Sequence, residues 1–168
     1  VDAMLAALPG IRHATVIGAG LLGVEAAVGL RAHGLEVTLM HRNPVLLNRQ
    51  LDATASGILR RELEHRGIDV RTGVNPSALI TYNGIATAIS YRQDDELLQL
   101  PTDLVIFATG ILPNKELAAD AGIECNRGIG VDALMRTSEP DVYALGECCE
   151  FNGATYGLVA PIWDQAKV

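Results

Sequence analysis

The hydrophobic pattern of the first 71 residues predicts three strands separated by two helices. The strand-like runs are short and rich in β-branched residues, whereas the apolar positions between them recur every three or four residues, as in a helix with one buried face. This alternation of strand and helix is typical of a parallel sheet with crossover helices. The predicted segments are, in chain order, residues 14–17, 22–33, 37–40, 52–65 and 68–71.

Each predicted helix carries signals for its ends and for the face that it buries. Asp52 has a side chain that can cap the second helix, and Gly34 and Gly67 stand where the two helices end. Charged residues fill one face of the second helix, so we expect that face in solvent. The positions expected to face the core are Leu22, Ala26, Ala27 and Leu30 in the first helix and Ile58, Leu59 and Leu63 in the second.

The alternation of predicted strands and helices ends after residue 71. Asn83-Gly84 and Asp94-Asp95 favour tight turns between three short apolar runs, which predicts a three-stranded β-meander. The runs of the meander are residues 77–80, 85–91 and 97–100. Beyond them the pattern predicts an apolar strand at 104–107, a helix over 113–121, an extended segment at 128–132, a strand at 142–145, a turn at 146–147 and a helix beginning near residue 158.

A glycine-rich turn joins the first predicted strand to the first helix. Its sequence, Gly18-Ala19-Gly20-Leu21-Leu22-Gly23, is a G-x-G-x-x-G pattern. The first glycine permits a sharp turn, the second lets a pyrophosphate approach the backbone, and the third lets helix and strand pack closely. The helix N-terminus adds free amides and partial positive charge. The pattern predicts a dinucleotide site at Gly18, Gly20, Leu21, Leu22 and Gly23, with a turn that binds nothing as the alternative.

The residue that usually distinguishes NAD from NADP is not acidic in this chain. The second strand ends at His41 and Arg42, where an acidic residue would bind the ribose hydroxyls of NAD. Arg42, or a protonated His41, has the charge to meet the 2′-phosphate of NADP, and a solvated loop pair is an equal alternative. Glu25 is similarly ambiguous, because its charge favours the helix N-terminus and it also lies close enough to the turn to reach a nicotinamide.

Composition and charge narrow the classes of function. The 168 residues carry a net charge of −7, which disfavours binding to nucleic acid or to an anionic membrane. We find neither an apolar run of the roughly 18 residues that a membrane span needs nor a signal-peptide pattern. Cys125, Cys148 and Cys149 are too few for a disulfide framework and lack C-x-x-C spacing, so we expect structural cysteines, no metal site and a cytoplasmic setting. His13, His33 and His65 are expected at the surface.

Several segments resemble the pyridine nucleotide-disulfide oxidoreductase family. Gly18-x-Gly20-x-x-Gly23-x-Glu25 is similar to the NAD-binding segment of that family, and two later segments are similar to its flavin-binding part. Those two are Ala108-Thr109-Gly110-x-x-Pro113-Asn114 and Val142-Tyr143-Ala144-Leu145-Gly146-Glu147. Residues 49–52, 125–129 and 156–168 resemble the large subunits of NAD(P)H-dependent nitrite reductases within the family, so the resemblance covers essentially the whole chain.

The resemblance implies two domains and assigns residues to two ligands. Residues 1–112 would be the NAD(P)H-binding domain, and residues 113–168 the C-terminal part of a split FAD-binding domain. The glycine turn would contact pyrophosphate, Glu25 the nicotinamide side, and Gly110 would lie close to the dinucleotides. On the flavin side the implied residues are Gly146, Glu147 in place of the usual aspartate at the ribityl chain, and Leu158 and Val159 at the helix start that faces the pyrimidine edge.

The resemblance also implies a larger reaction. NAD(P)H, with NADH slightly favoured, would pass hydride to FAD, and electrons would reach nitrite through an iron-sulfur cluster and sirohaem held in modules outside this chain. The first residue is not methionine and the end falls within a predicted helix, so we expect a piece of a longer protein that is inactive by itself.

Two other interpretations of the sequence remain open. Reductases that serve ferredoxin, rubredoxin or nitrate reductase share the early motifs, and a dinucleotide-binding module without catalysis is the alternative of another class. Leu158, Ile162 and Trp163, apolar residues of the last helix, predict some homodimer formation.

Overall fold

The computed structural model of the chain describes residues 5–168. They form two compact units, one ending at Gly110 and the other beginning at Ile111. The first unit contains β1 (His13–Ile17), α1 (Leu21–Ala32), β2 (Glu36–His41), α2 (Ala53–His65), β3 (Ile68–Thr72), β4 (Asn75–Tyr82), β5 (Ile85–Gln93), β6 (Glu96–Pro101) and β7 (Leu104–Phe107). The second contains α3 (Glu116–Asp120), β8 (Ile129–Gly130), a 3₁₀ turn (Gly146–Cys148), β9 (Cys149–Phe151), β10 (Ala154–Thr155) and α4 (Val159–Gln165).

The first unit is built on a parallel sheet in the order β3-β2-β1-β7. Successive side chains of a strand point to opposite faces, and here both faces are covered. Val16 and Leu39 pack with Ala27 and Leu30 of α1 and with Leu63 of α2. The neighbouring residues of the strands, Ile17 and Met40, pack with Val74, Ile89 and Tyr91 of the following segment. The predicted parallel sheet with crossover helices is confirmed, and its continuous apolar strands follow from burial on both faces.

The two helices differ from the sequence prediction in one position each. Asp52 caps α2 as predicted, since its Oδ1 accepts a hydrogen bond from the Ala55 N–H at 2.8 Å. Leu22 and Ile58, however, were expected in the core and are 70% and 58% exposed. Leu22 lies in the first turn of α1, where the buried residue is its neighbour Gly23, which packs against Gly18 and Ala108. Ser56 takes the buried position on α2 because its Oγ accepts the Leu46 N–H at 2.8 Å.

The predicted meander forms a separate antiparallel sheet in the order β4-β5-β6. Its two turns contain the predicted pairs, and all four residues have positive φ: 51° and 79° at Asn83 and Gly84, and 49° and 65° at Asp94 and Asp95. Two consecutive positive φ values match the right-handed twist of the strands that flank a tight hairpin.

The second unit departs more from the prediction. Residues 142–145 do not form a strand: Tyr143 makes an isolated bridge with Arg136, with one backbone hydrogen bond on each side of it, and the residues around Arg136 form no strand that could extend the pairing. The predicted helix over 113–121 begins only at Glu116, with Lys115 as its N-cap, and Pro113 is a buried residue of the segment before it. The hairpin of β9 and β10 was not predicted, although the turn pair Asn152-Gly153 that closes it is a hairpin signal.

Candidate dinucleotide-binding site

The glycine turn lies at the point where the order of the parallel sheet reverses. β1 is flanked by β2 on one side and β7 on the other, so the segments that follow these three strands meet at one edge of the sheet. They are the glycine turn after β1, His41 and Arg42 at the end of β2, and Ala108–Gly110 after β7. Ligands of open parallel sheets bind at the carboxyl ends of the strands, at this switch point. The topology therefore brings the sequence-predicted residues of the first unit together.

Two of the three glycines of the turn are required by contacts within the protein. Gly18 has a φ of 104°, and a Cβ on it would lie 2.3 Å from the carbonyl oxygen of Ala108. A Cβ on Gly23 would lie 1.8 Å from the carbonyl oxygen of Gly18. Both distances are far below van der Waals contact. These glycines let the backbones of β1, β7 and α1 approach one another closely.

Gly20 differs from the other two glycines of the motif, because no contact with a described residue requires a glycine at this position. A Cβ on Gly20 would meet no atom of residues 5–168 within 4 Å, and the φ of Gly20, −77°, is accessible to any residue. It is the N-cap of α1 and provides no side-chain hydrogen bond to the helix. The space that a side chain would fill is open in front of the helix N-terminus.

The first amides of α1 face this space without partners. The first backbone hydrogen bond of the helix runs from the Val24 N–H to the Gly20 carbonyl at 3.0 Å. Within the part of the chain that the structure describes, the N–H groups of Leu21, Leu22 and Gly23 make no hydrogen bond to a protein acceptor. Unpaired amides at a helix N-terminus, with the partial positive charge of the helix, suit an anionic group such as a pyrophosphate.

His41 and Arg42 have different surroundings. The His41 ring is half-buried, with Nδ1 3.2 Å from the Ala19 N–H and Nε2 3.3 Å from Asn48 Oδ1. Arg42 is exposed, and its side chain makes no hydrogen bond or ion pair with the residues described. The guanidinium of Arg42 is thus free to meet an anion, whereas the imidazole of His41 is already engaged with the protein.

Glu25 and Gly110 lie at the margins of the site. Glu25 is exposed and belongs to the second turn of α1. Gly110 is also exposed and has a φ of 113°, and a Cβ on it would contact none of the residues described. Its backbone conformation is one that favours glycine, and the space beside it is open.

The second unit holds the other group of predicted residues. Gly146 has a φ of 85° and donates its N–H to Gln165 Oε1 at 2.8 Å, which ties the 3₁₀ turn to α4. Glu147 is exposed, and its Oε1 lies 3.8 Å from the position of a Cβ on Gly157. Leu158 is the N-cap of α4 and Val159 its first residue. Gly146, Glu147, Leu158 and Val159 are therefore neighbours within this unit.

Two positioning residues were not found from the sequence. Asn48 contacts the ring of His41, seven positions before it, and Gln165 accepts the N–H of Gly146, 19 positions before it. An amide side chain in a loop or a helix has no local pattern that identifies such a partner.

The adjacent cysteines have structural surroundings. Cys149 is fully buried, its Sγ donates to the Gly146 carbonyl at 3.1 Å, and burial raises the pKa of its thiol. The Cys148 Sγ donates to the Leu145 carbonyl at 3.3 Å. A raised thiol pKa disfavours the reactive thiolate, which agrees with the expected structural role of Cys149.

His13 is not the plain surface residue that the sequence suggested. Its ring is partly buried, with Nε2 3.0 Å from Thr38 Oγ1 and Nδ1 hydrogen-bonded to the Pro101 carbonyl. It borders a shallow groove of about 310 Å³ together with Arg31, Glu36 and Asp69. This groove lies at the amino ends of β1 and β2, the edge opposite the glycine turn, so it is not the expected place for a dinucleotide.

Among residues 5–168, no helix has the length and apolar character that crossing a membrane requires. The same residues contain no group of three or more metal-binding side chains placed to share an ion.

Comparisons with known proteins identify the relatives of this chain. A profile of the pyridine nucleotide-disulphide oxidoreductase family matches residues 2–167. A nitrite reductase [NAD(P)H] of Bacillus subtilis is 43% identical over 99% of the chain, and an assimilatory nitrate reductase electron transfer subunit of that species is 46% identical over 93%. The chain spans 20% of the length of each. The crystal structure of a ferredoxin reductase from Rhodopseudomonas palustris superimposes with a TM-score of 0.82 at 33% identity, covering 89% of this chain and 36% of that one. The chain belongs to the pyridine nucleotide-disulphide oxidoreductase family.

Proposed function

We propose that the first unit binds NAD(P)H at the carboxyl edge of β1, with the pyrophosphate on the amides of Leu21, Leu22 and Gly23. The observation that carries the proposal is the open space at Gly20 in front of these unpaired amides. Gly18 and Gly23 serve this geometry indirectly, by letting α1 start close to β1. The proposal extends the family membership to particular residues of this chain.

The end of β2 determines the choice between the two coenzymes in this proposal. An acidic residue there would bind the ribose hydroxyls of NADH and repel a 2′-phosphate. Arg42 has the opposite charge and no protein partner among the residues described. We therefore propose that the site accepts both coenzymes, and that Arg42 contacts the 2′-phosphate when NADPH is bound.

The remaining site residues complete the proposed geometry. Glu25 contacts the nicotinamide side, and Gly110 leaves room for the dinucleotides where β7 ends. On the second unit, Gly146, Glu147, Leu158 and Val159 form part of an FAD site, with Glu147 as acceptor for a ribityl hydroxyl. A flavin supplies the chemistry of hydride acceptance from a nicotinamide, and the task of these residues is to orient the two ligands and exclude water.

For the longer protein we propose an NAD(P)H-dependent nitrite reductase. The support is the 43% identity over 167 residues to the Bacillus subtilis enzyme. In this proposal residues 1–112 and 113–168 are its NAD(P)H-binding domain and part of its FAD-binding domain, and the iron-sulfur cluster and sirohaem belong to other modules. Electron transfer to a nitrate reductase is the second candidate, favoured by the 46% identity to a subunit with that role. The chain alone is proposed to bind coenzyme without robust turnover.

The direct test is calorimetric titration of the chain with NADH and NADPH in parallel. We expect both to bind with one site per chain, since the amides that bind pyrophosphate do not distinguish the two. A titration that shows heat of binding for neither coenzyme at neutral pH would contradict the proposal.

The proposed role of Arg42 makes a separate prediction. The substitution Arg42→Glu replaces an attraction for the 2′-phosphate with a repulsion, so NADPH affinity is expected to fall about 30-fold or more. NADH affinity is expected to change less than threefold, because NADH carries no group at that position. Titration of the variant with each coenzyme measures the ratio, and Arg49→Glu, a charge reversal in the same loop, is the matched control. Equal losses for both coenzymes would show that Arg42 does not read the 2′ position.

A further inference from the structure

The glycine turn is tied to the end of β2 and to the loop that follows it. The Gly18 N–H donates to the Met40 carbonyl at 2.8 Å, and the Leu47 N–H donates to the Ala19 carbonyl at 2.9 Å. The Ala19 N–H donates to His41 Nδ1 at 3.2 Å. Of these three bonds, only the last has a side chain as acceptor.

The two contacts of the His41 ring define its protonation. Because Nδ1 accepts a hydrogen bond from the Ala19 amide, it carries no proton. Nε2 lies 3.3 Å from Asn48 Oδ1, an acceptor, so Nε2 carries the proton and donates it. The ring is therefore neutral in this arrangement. A proton added at Nδ1 would face the Ala19 N–H and break that bond.

The surroundings of the ring also favour its neutral form. Burial lowers the pKa of His41, the hydrogen bond to Asn48 raises it, and the positive charge of Arg42 lowers it, with a net decrease. The two groups that contact the ring, Ala19 in the glycine turn and Asn48 in the loop, are uncharged. On β3 the register partner of His41 is Thr72, whose Oγ1 accepts a hydrogen bond from the guanidinium of Arg60 at 3.3 Å.

We propose that His41 is a positioning residue for dinucleotide binding: its neutral ring, oriented by Asn48, holds the Ala19 peptide and with it the glycine turn in the conformation that receives the pyrophosphate. This inference rests on the proposed coenzyme site. It differs from the sequence-based expectation that a protonated His41 meets the 2′-phosphate. Protonation of the ring releases the Ala19 amide, so it weakens the binding of NADH and NADPH alike.

The side chains available at position 41 allow a sharp test. In His41→Asn, the amide oxygen stands at the same number of bonds from the backbone as Nδ1, so it can accept the Ala19 N–H and does not titrate. In His41→Leu, a side chain of similar size has no acceptor. The matched control is His65→Asn, which changes an exposed histidine at the end of α2. Circular dichroism at pH 5 and pH 8 checks that each variant is folded.

Affinity for NADH and for NADPH is then measured by calorimetry between pH 5 and pH 8. We expect the unmodified chain to lose about tenfold in affinity for both coenzymes on acidification. A loss of this size corresponds to the contribution of about one hydrogen bond. His41→Asn is expected to stay near the pH 8 affinity throughout, and His41→Leu to be weak at every pH. Dividing each value by that of His41→Asn removes the titration of the 2′-phosphate itself.

Amide NMR of the free chain provides a readout that needs no coenzyme. The chemical shift of the Ala19 amide is expected to change with the same apparent pKa as the His41 ring, and to be independent of pH in His41→Asn. An Ala19 amide chemical shift that does not follow the titration of the ring would overturn the proposal. Binding of both coenzymes by His41→Leu as tightly as by the unmodified chain at pH 8 would also overturn it. NADPH affinity that rises on acidification relative to NADH would also overturn it, in favour of direct phosphate contact. Binding of neither coenzyme by the unmodified chain at pH 8 would instead contradict the proposed function, and this role with it.

Discussion

Replacement of Gly20 by aspartate is expected to abolish dinucleotide binding and to leave the fold intact. The space around Gly20 is open and its backbone is in a region that aspartate adopts, so the variant has no steric reason to unfold. Aspartate is also a favourable N-cap, worth a few tenths of a kcal/mol over glycine. In the site, however, the carboxylate occupies the space of the pyrophosphate, accepts hydrogen bonds from the helix amides that would bind it, and repels its negative charge. We expect affinity for NADH and NADPH to fall more than about 100-fold.

The measurement combines calorimetry for binding with the thermal midpoint for stability. Gly20→Ala separates volume from charge, since it adds a methyl group to the same open space and is expected to weaken binding less than aspartate. Unchanged affinity in Gly20→Asp would mean that a dinucleotide does not lie against the start of α1.

Replacement of Gly18 by alanine, unlike the change at Gly20, is expected to cause a large loss of stability. Its φ of 104° is unfavourable for an L-residue, and the new Cβ would lie 2.3 Å from the Ala108 carbonyl oxygen. Neither β1 nor β7 can move away without breaking its pairing at Ile17 and Phe107. Strain and overpacking together are expected to lower the free energy of unfolding by about 3 kcal/mol or more, a large share of the stability of a small domain.

Urea unfolding, followed by circular dichroism, measures this loss. Gly84→Ala is the matched control, because Gly84 also has a positive φ, 79°, but no atom of the described residues lies within 4 Å of a Cβ there. It is expected to cost about 1–2 kcal/mol. If the two variants lose the same stability, the close approach of β1 to β7 is not what requires Gly18.

Much of the first unit could be predicted because its signals are local. β-branched runs, the Asp52 cap and the turn pairs Asn83-Gly84 and Asp94-Asp95 act over a few residues, and each is found where the pattern indicated. Hydrophobic periodicity predicted burial wrongly where the packing of neighbouring elements decides which residues are buried. Leu22 has an apolar side chain at a helical spacing, yet Gly23 is the residue of that turn that packs on the strands, and Leu22 is exposed.

The second unit was harder to predict for the same reason. The apolar run at residues 142–145 has strand-like composition, but a strand requires a partner along its length, and within residues 5–168 the pairing of this run is one isolated bridge, from Tyr143 to Arg136. The strands that do form, β8, β9 and β10, have two or three residues each and depend on pairing more than on composition.

The sequence by itself determined the parallel sheet, the meander and the position of the glycine turn, because apolar periodicity and the conformational preferences of glycine, asparagine and aspartate act locally. The motif predicted a separate role for each of the three glycines, but only the tertiary structure shows which atoms require them, since the clashes at Gly18 and Gly23 involve backbone atoms that folding brings together, whereas Gly20 faces open space. The tertiary structure likewise decided that His41 accepts the Ala19 amide. Hydrogen bonds between residues distant in sequence depend on the direction of a side chain across the sheet edge, which no pattern of residue types specifies.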